Sequence, residues 1–153
     1  MFRISRRLDY GIQLMVALAK EENSRPIPTA QLAENLNIPL PFLHQIGHTL
    51  MQTGLIKASP GPRGGLRLNI PPEDISVLKI AESLEGPICL NSCLDCGEEC
   101  ERKEDCAAQE MWFNMQNTIV SYLGGVYLLD LAKKEIETQL KINNSELLPL
   151  VAD

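Results

Sequence analysis

The spacing of apolar residues along the first third of the chain predicts three helices. Residues 4–19 carry apolar side chains at helical spacing with arginines at the start, which is typical of an amphipathic helix with a basic end. A second helix is predicted over Ala30–Leu36, where the hydroxyl of Thr29 is expected to cap the first turn. A third helix over residues 40–53 places its apolar side chains on one face and ends at Gly54.

After the third helix the pattern changes to two short runs typical of β-strands. Leu55–Ser59 and Leu66–Ile70 flank a turn rich in proline and glycine, so we expect a hairpin. Two helices, a short turn, a third helix and a hairpin are the order of a winged helix-turn-helix domain, so the predicted fold is mainly α with a small β-hairpin wing. Protein-interaction modules also contain three helices and a hairpin, so this order alone does not establish DNA binding.

Beyond the hairpin, the pattern predicts three further helices, over Val77–Leu84, residues 107–122 and Tyr127–Leu140. The helix over residues 107–122 has an apolar stripe that includes Met111 and Met115. Such a helix usually needs a partner to cover it, so we expect a homodimer that presents two recognition helices to a pseudo-palindromic site. The alternative is that the stripe packs back on the first helix.

These elements divide the chain into four regions. They are a winged helix-turn-helix domain over residues 1–86, a cysteine-rich loop over 87–106, dimerisation helices over 107–142 and a flexible tail over 143–153. The chain has 153 residues, of which 44% are hydrophobic and 22% charged, which suits one domain with an arm. No apolar run is long enough to cross a membrane, and the first residues lack the features of a signal peptide, so a cytoplasmic protein is expected.

The charge is distributed unevenly along the chain. Residues 1–70 carry eight Lys or Arg against four Asp or Glu, whereas residues 71–153 carry six against sixteen. A basic front half is expected when one surface of a protein meets a polyanion such as DNA. Solvated surfaces without any partner would give the same counts, so the charge supports DNA binding without establishing it.

The third helix contains no Lys or Arg, so its candidates for contact with the DNA groove are uncharged or titratable. They are His44, Gln45, His48, Thr49 and Gln52. Most of the affinity is then expected to come from arginines outside this helix, which contact phosphates or a narrow minor groove. The predicted DNA-binding residues are Arg3, Arg6, Arg7, Thr29, His44, Gln45, His48, Arg63, Gly64 and Arg67.

Five cysteines, at positions 89, 93, 96, 100 and 106, lie within 18 residues and nowhere else in the chain. An odd count in a reducing compartment favours metal binding or redox chemistry over a disulfide framework. Thiolates suit zinc and iron-sulfur clusters alike, and both histidines belong to the third helix, which argues against a mixed Cys/His zinc site. The sequence contains no phosphate-binding glycine loop, nucleophile elbow or credible Ser/His/Asp set, so an enzyme is not expected.

Several stretches together resemble the IscR/NsrR-type (Rrf-family) winged-helix transcription regulators over roughly residues 1–138. They are ISRRLDYG, TAQLAENLNIPLPFLHQIGHTLMQTGLIKASPGPRGGLRL, IAESLEGP and the cysteines followed by a tryptophan. The resemblance implies a dimeric DNA-binding protein. Many members hold an iron-sulfur cluster through three cysteines and use it to sense iron-sulfur status, nitric oxide, iron or redox state.

Carried over by position, this resemblance implies cluster ligation by Cys93, Cys100 and Cys106. The family usually has five residues in each gap, but the first gap here has six. In one branch a histidine after the third cysteine is the fourth ligand, and Gln109 occupies that position here. In another branch an acidic residue of the partner subunit is the fourth ligand, and Asp9 occupies that position. The cluster is either two-iron two-sulfur or four-iron four-sulfur.

The expected function is that of a DNA-binding regulator whose affinity for DNA is set by the state of this cluster. Cluster state and DNA binding would then be linked equilibria, each affecting the other. The alternative is a cluster-free regulator of the same fold, controlled by zinc, by a protein partner or by a disulfide such as Cys89–Cys93.

Overall fold

The computed structural model describes residues 3–21, 25–62, 64–91, 94 and 106–146, with the side chains of 143–146 left out. The described chain is mainly helical and contains one antiparallel hairpin. The elements are α1 (Arg6–Ala19), α2 (Thr29–Asn35), α3 (Leu40–Gln52), β1 (Ile56–Ser59), β2 (Gly65–Leu68), a short 3-10 helix (Pro72–Asp74), α4 (Val77–Glu85), α5 (Ala107–Gly125) and α6 (Leu128–Glu146). The order of helices and hairpin confirms the predicted winged helix-turn-helix fold.

The first two helices begin in different ways. Ser5 is the N-cap of α1, and its hydroxyl oxygen accepts a hydrogen bond from the amide of Leu8 at 3.0 Å. The prediction that Thr29 caps the second helix is wrong, because Thr29 is already the first residue of α2. Pro28 occupies the N-cap without a side-chain cap hydrogen bond, and its carbonyl accepts from the amide of Leu32. The restricted backbone of this proline therefore starts the helix where a hydroxyl was expected to do so.

The hairpin is anchored to the chain that precedes α2. In its register Ile56 faces Leu68 and Ser59 faces Gly65. Ile27 and Leu66 also exchange both backbone hydrogen bonds, each at 2.9 Å, so the segment before α2 pairs with β2. A Cβ atom on Gly65 would overlap the carbonyl oxygen of Ile27, so only glycine permits this close approach.

One apolar core connects the helices of the winged domain with the hairpin and with the start of α6. Its fully buried side chains are Leu14, Met15, Leu32, Leu43, Ile46, Leu50, Leu55, Ile56, Ile75, Ile80 and Leu128. Helix α6 returns to pack on α1, and the amide of Leu128 donates to the carbonyl of Ile75 at 2.8 Å. The start of the last helix therefore belongs to the core of the winged domain, which the sequence did not predict.

The two last helices are longer than predicted, and α5 leaves part of its apolar stripe exposed. Helix α5 runs to Gly125 and α6 to Glu146, so residues 143–146, assigned from the sequence to the tail, continue the last helix. Residues 147–153 lie outside the described residues. No residue of α5 is buried, and Met111 and Tyr122 are 53% and 71% exposed. None of the helices in the described ranges is long and apolar enough to span a membrane.

Candidate nucleic-acid interface and cysteine site

Helix α3 separates its apolar and polar residues onto opposite sides. Leu43, Ile46 and Leu50 are buried in the core. The predicted groove-contacting residues His44, Gln45 and His48 are all exposed, as is Gln52. The structure therefore presents to solvent a polar face of α3 that contains no Lys or Arg, on a helix of the size that enters a major groove. Below, this face is called the recognition face and comprises His44, Gln45, His48 and Gln52.

Helix α1 brings a guanidinium to the edge of the recognition face. The Nη2 of Arg7 donates to the Oγ1 of Thr49 at 2.8 Å, and this hydroxyl donates in turn to the carbonyl of Gln45 at 3.2 Å. Arg7 and Thr49 are both half-buried, whereas Arg3 and Arg6 are exposed. The role of Thr49 in holding Arg7 could not be found from the sequence, because the two residues are 42 positions apart and share no local pattern.

The hairpin holds another predicted residue in place. The Nε of Arg67 donates to the Oγ of Ser59 at 3.1 Å across the two strands. At the tip, the amide of Gly64 donates to the carbonyl of Gly61 at 2.8 Å, and a Cβ on Gly64 would overlap the carbonyl oxygen of Ser59. The tip is therefore a tight backbone turn that requires glycine. The contact between Ser59 and Arg67 could not be found from the sequence. The predicted contact Arg63 lies outside the described residues.

Thr29, the remaining predicted DNA contact, is half-buried as the first residue of α2. Helix α2 packs on α3, so Thr29 lies in the helix-turn-helix unit itself. In that unit the helix before the recognition helix crosses the DNA backbone. The placement of Thr29 therefore suits contact with a phosphate.

Two of the five cysteines fall within the described residues. Cys89 is exposed, and its thiol donates to the carbonyl of Asn91 at 3.0 Å. Cys106 is half-buried at the N-cap of α5, where its side chain makes no cap hydrogen bond. Both are free thiols. Cys93, Cys96 and Cys100 lie outside the described residues, so the geometry of the predicted ligand set is described only at Cys106 and Asp9.

Asp9 lies in the first turn of α1 with its side chain exposed. Its Oδ2 accepts a hydrogen bond from the Nε2 of Gln13 at 3.1 Å. A carboxylate at this position also interacts favourably with the helix dipole, whatever else it does. In the described parts of the chain, no three His, Cys, Asp or Glu side chains gather into a metal-binding group.

A groove separates the start of α1 from α5 and reaches the first residues of the cysteine-rich loop (87–106), below called the cysteine segment. It has a volume of about 590 Å³ and is lined mainly by apolar side chains, among them Leu8, Met115 and Ile119. Two hydrogen bonds fix its walls: Ser5 Oγ donates to Glu85 Oε1 at 2.9 Å, and the amide of Leu90 donates to Gln116 Oε1 at 3.0 Å. The segment that leads into the cysteines is thereby fixed to α5, and the start of α1 is fixed to the end of α4.

Comparison with known proteins places this geometry in one family. A model of the Rrf2 family, described as iron-dependent transcriptional regulators, matches residues 4–134. The HTH-type transcriptional regulator CymR of Bacillus subtilis is 30% identical over 130 residues, which are 85% of this chain and 89% of CymR. The family model therefore spans the winged domain and α5.

Solved structures agree with these sequence matches. The structure of CymR from B. subtilis, described as the global cysteine regulator, has a TM-score of 0.75 at 30% identity and covers 88% of this chain and 98% of that chain. The structure of T. potens IscR has a TM-score of 0.74 at 27% identity and covers 90% and 91%. The family model matches most of the chain, and these solved relatives share its fold. The chain therefore belongs to the Rrf2 family of winged-helix, DNA-binding transcriptional regulators.

Proposed function

We propose that this protein is a cytoplasmic homodimer that binds a pseudo-palindromic site in double-stranded DNA. The observation that carries the proposal is the exposed recognition face of α3 with Arg7 fixed at its edge and Arg67 fixed in the hairpin. A polar face suits base edges, and guanidinium groups suit phosphates. Direct DNA contacts are proposed for Arg3, Arg6, Arg7, Thr29, His44, Gln45, His48, Arg63, Gly64 and Arg67.

Selection from a random duplex library tests this proposal. The wild-type protein should enrich sequences with two inverted half-sites about one helical turn apart, because a two-fold dimer presents two recognition faces. The variant Gln45→Ala should enrich a changed sequence, whereas Glu34→Ala, an exposed change on α2, should enrich the wild-type sequence. Enrichment of no sequence by the wild-type protein would contradict the proposal.

The homodimer is supported by apolar residues that a single chain leaves exposed. Met111 and Tyr122 of α5 are 53% and 71% exposed. Met111 and Tyr122 are eleven residues apart and therefore lie on the same side of the helix. A second copy that packs α5 against α5 would cover this side and would place two winged domains on one face of the dimer.

We further propose that Cys93, Cys100 and Cys106, with Asp9 of the partner subunit, hold an iron-sulfur cluster. The described donors suit this role, since Cys106 is a free, half-buried thiol and Asp9 is an exposed carboxylate. The family is described as iron-dependent, which supports iron over zinc. A bound cluster would supply iron and sulfide that respond to oxidants, nitric oxide or iron supply.

The contacts around the groove supply a route from the cysteine segment to the DNA-binding surface. The backbone of Leu90 is bound by Gln116 of α5, and α5 packs on α4. Helix α4 holds the start of α1 through Glu85 and Ser5, and Arg7 of α1 contacts α3. A shift of the cysteine segment would therefore reach the start of α1 and Arg7 at the edge of the recognition face. If cluster-loaded and cluster-free protein bound DNA equally well, this linkage would be refuted.

A second candidate is a cluster-free regulator controlled by its cysteines, zinc or a protein partner. The observation that favours it is Cys89, an exposed free thiol in addition to the proposed ligand set. Visible absorbance separates the two candidates, because iron-sulfur proteins are brown, whereas zinc and disulfide forms are colourless.

A further inference from the structure

The recognition helix of this protein contains no lysine or arginine. Helix α3 has no Lys or Arg between Leu40 and Gln52. Phosphate contacts supply much of the affinity of proteins for DNA and fix the orientation of a helix in the groove. An adjacent element must therefore bring a positive charge to α3 if this helix is to be held in a groove.

Arg7 occupies the position that this requirement defines. Its Nη2 lies 2.8 Å from the Oγ1 of Thr49, on the edge of α3 that faces α1. The Thr49 hydroxyl gives its proton to the carbonyl of Gln45, so its oxygen is oriented as an acceptor for the guanidinium. An arginine carries five N–H donors, so one bond to Thr49 still permits a bidentate contact with a phosphate.

We propose that Arg7, held by Thr49, is the phosphate-binding cation of the recognition face. This inference rests on the proposed DNA binding by α3. A helix nearly fills the width of the major groove, so a side chain at its edge meets the phosphates of the groove wall, whereas the centre of its face meets the bases. Arg7 therefore orients α3 in the groove without reading sequence. Thr49 is a positioning residue, which acts on DNA through Arg7.

The first test replaces the charge. Arg7→Gln is expected to weaken binding about tenfold to a duplex enriched by the wild-type protein, because a charge-assisted contact is lost. The slope of log affinity against log salt, measured between about 50 and 200 mM, should become shallower by about 0.9 per bound subunit. Arg25→Gln, which removes an exposed arginine outside α1 and α3, controls for net charge and should leave the slope unchanged.

The second test separates positioning from charge. Thr49→Val removes the hydroxyl acceptor and should weaken binding about threefold in the wild-type background but not in the Arg7→Gln background. Thr49→Ser should restore wild-type affinity. Thr53→Val is the matched control, because the Thr53 hydroxyl bonds only to carbonyls of its own helix region, those of Thr49 and Leu50. Thermal unfolding of each variant confirms that the domain is folded.

Three results would overturn the inference. Equal affinity and equal salt slope for wild type and Arg7→Gln would show that Arg7 does not contact a phosphate. A loss confined to certain base sequences with an unchanged slope would assign Arg7 to a base. Additive losses for Thr49→Val and Arg7→Gln would remove Thr49 from its positioning role. In each of these cases the wild-type protein still binds the duplex, so the proposed DNA binding is not affected. If the proposed DNA binding itself were wrong, the wild-type protein would bind no duplex.

Discussion

The winged domain and helix α5 differ in how much apolar surface one chain buries. Helix α1 buries five residues, among them Leu14 and Met15, and α3 buries four. Helix α5 is longer than either and buries none, although it carries Met111, Phe113 and Tyr122. Apolar burial is the main source of stability, so the winged domain has the core of a self-sufficient domain and α5 does not.

This difference assigns separate roles to the two regions. The winged domain can hold its DNA-binding surface in one geometry, because its helices, its hairpin and the start of α6 share one core. Helix α5 and the cysteine segment that precedes it leave apolar surface and thiols available to a partner or cofactor. Regions with few buried contacts are the ones whose structure ligands alter. We therefore expect substitutions in the cysteine-rich loop and in α5 to change assembly and regulation. Substitutions in the core of the winged domain should change folding.

The largest effect is expected at the proposed cluster ligands. Cys106→Ser should abolish bound iron and visible absorbance, since a cluster needs the thiolate that serine lacks. Cys89→Ser is the matched control, because it removes a free thiol outside the proposed ligand set. Iron and sulfide assays on anaerobically purified proteins measure both. Retention of full iron content by Cys106→Ser would remove Cys106 from the ligand set.

The next effect concerns the exposed side of α5. Tyr122→Glu should convert the dimer to a monomer in sedimentation experiments, because it places a charge in an apolar interface. Loss of the second half-site contact should weaken DNA binding about 100-fold or more. Asn117→Glu introduces the same charge on an exposed part of α5 away from Met111 and Tyr122 and should remain dimeric. A dimeric Tyr122→Glu protein would place the interface elsewhere.

Within the winged domain, Gly65→Ala should lower the free energy of unfolding by about 1–3 kcal/mol. The new methyl group would overlap the carbonyl of Ile27 and disrupt the pairing of this segment with β2. Gly125→Ala has open space around the new Cβ and should leave stability unchanged or slightly raised. Chemical denaturation measures the difference, and similar values for the two variants would show that the Ile27–Leu66 pairing contributes little.

The smallest effect is expected for the ion pair between α1 and α6. Lys20 Nζ lies 2.8 Å from Glu135 Oε1 and joins the end of α1 to α6. The carboxylate is 44% exposed, so Glu135→Gln should cost no more than about 0.5 kcal/mol in chemical denaturation. A larger loss would mean that this pair, rather than the core around Leu128, attaches α6 to the winged domain.

The sequence predicted the elements whose signals are local. Apolar spacing placed α1 and α3 within two residues of their observed ends, and the glycine-rich turn placed the hairpin. The last helix was predicted to end too early, because asparagine has a low helix propensity. This penalty is only a few tenths of a kcal/mol per residue, and α6 continues through Asn143 and Asn144 to Glu146. Propensity also misplaced the cap of α2, where Pro28 replaces the expected hydroxyl of Thr29.

Contacts between distant residues could not be predicted from the sequence. The packing of Leu128 into the core and the bond from Arg7 to Thr49 each depend on the three-dimensional path of the chain. For the DNA-binding surface, the sequence identified which residues α3 exposes, but not which residues hold the arginines in place. For the cysteines, the sequence shows their spacing but not their surroundings. The structure describes the surroundings of Cys89 and Cys106.

The most direct test of the proposed regulator is the metal content of protein purified without oxygen. We predict a brown protein with equal amounts of iron and acid-labile sulfide and little zinc. Removal of the cluster should abolish the visible absorbance and change the affinity for DNA. A colourless protein that takes up no iron during reconstitution would contradict the cluster. The protein would then be a cluster-free winged-helix regulator that is controlled by zinc, a disulfide or a protein partner.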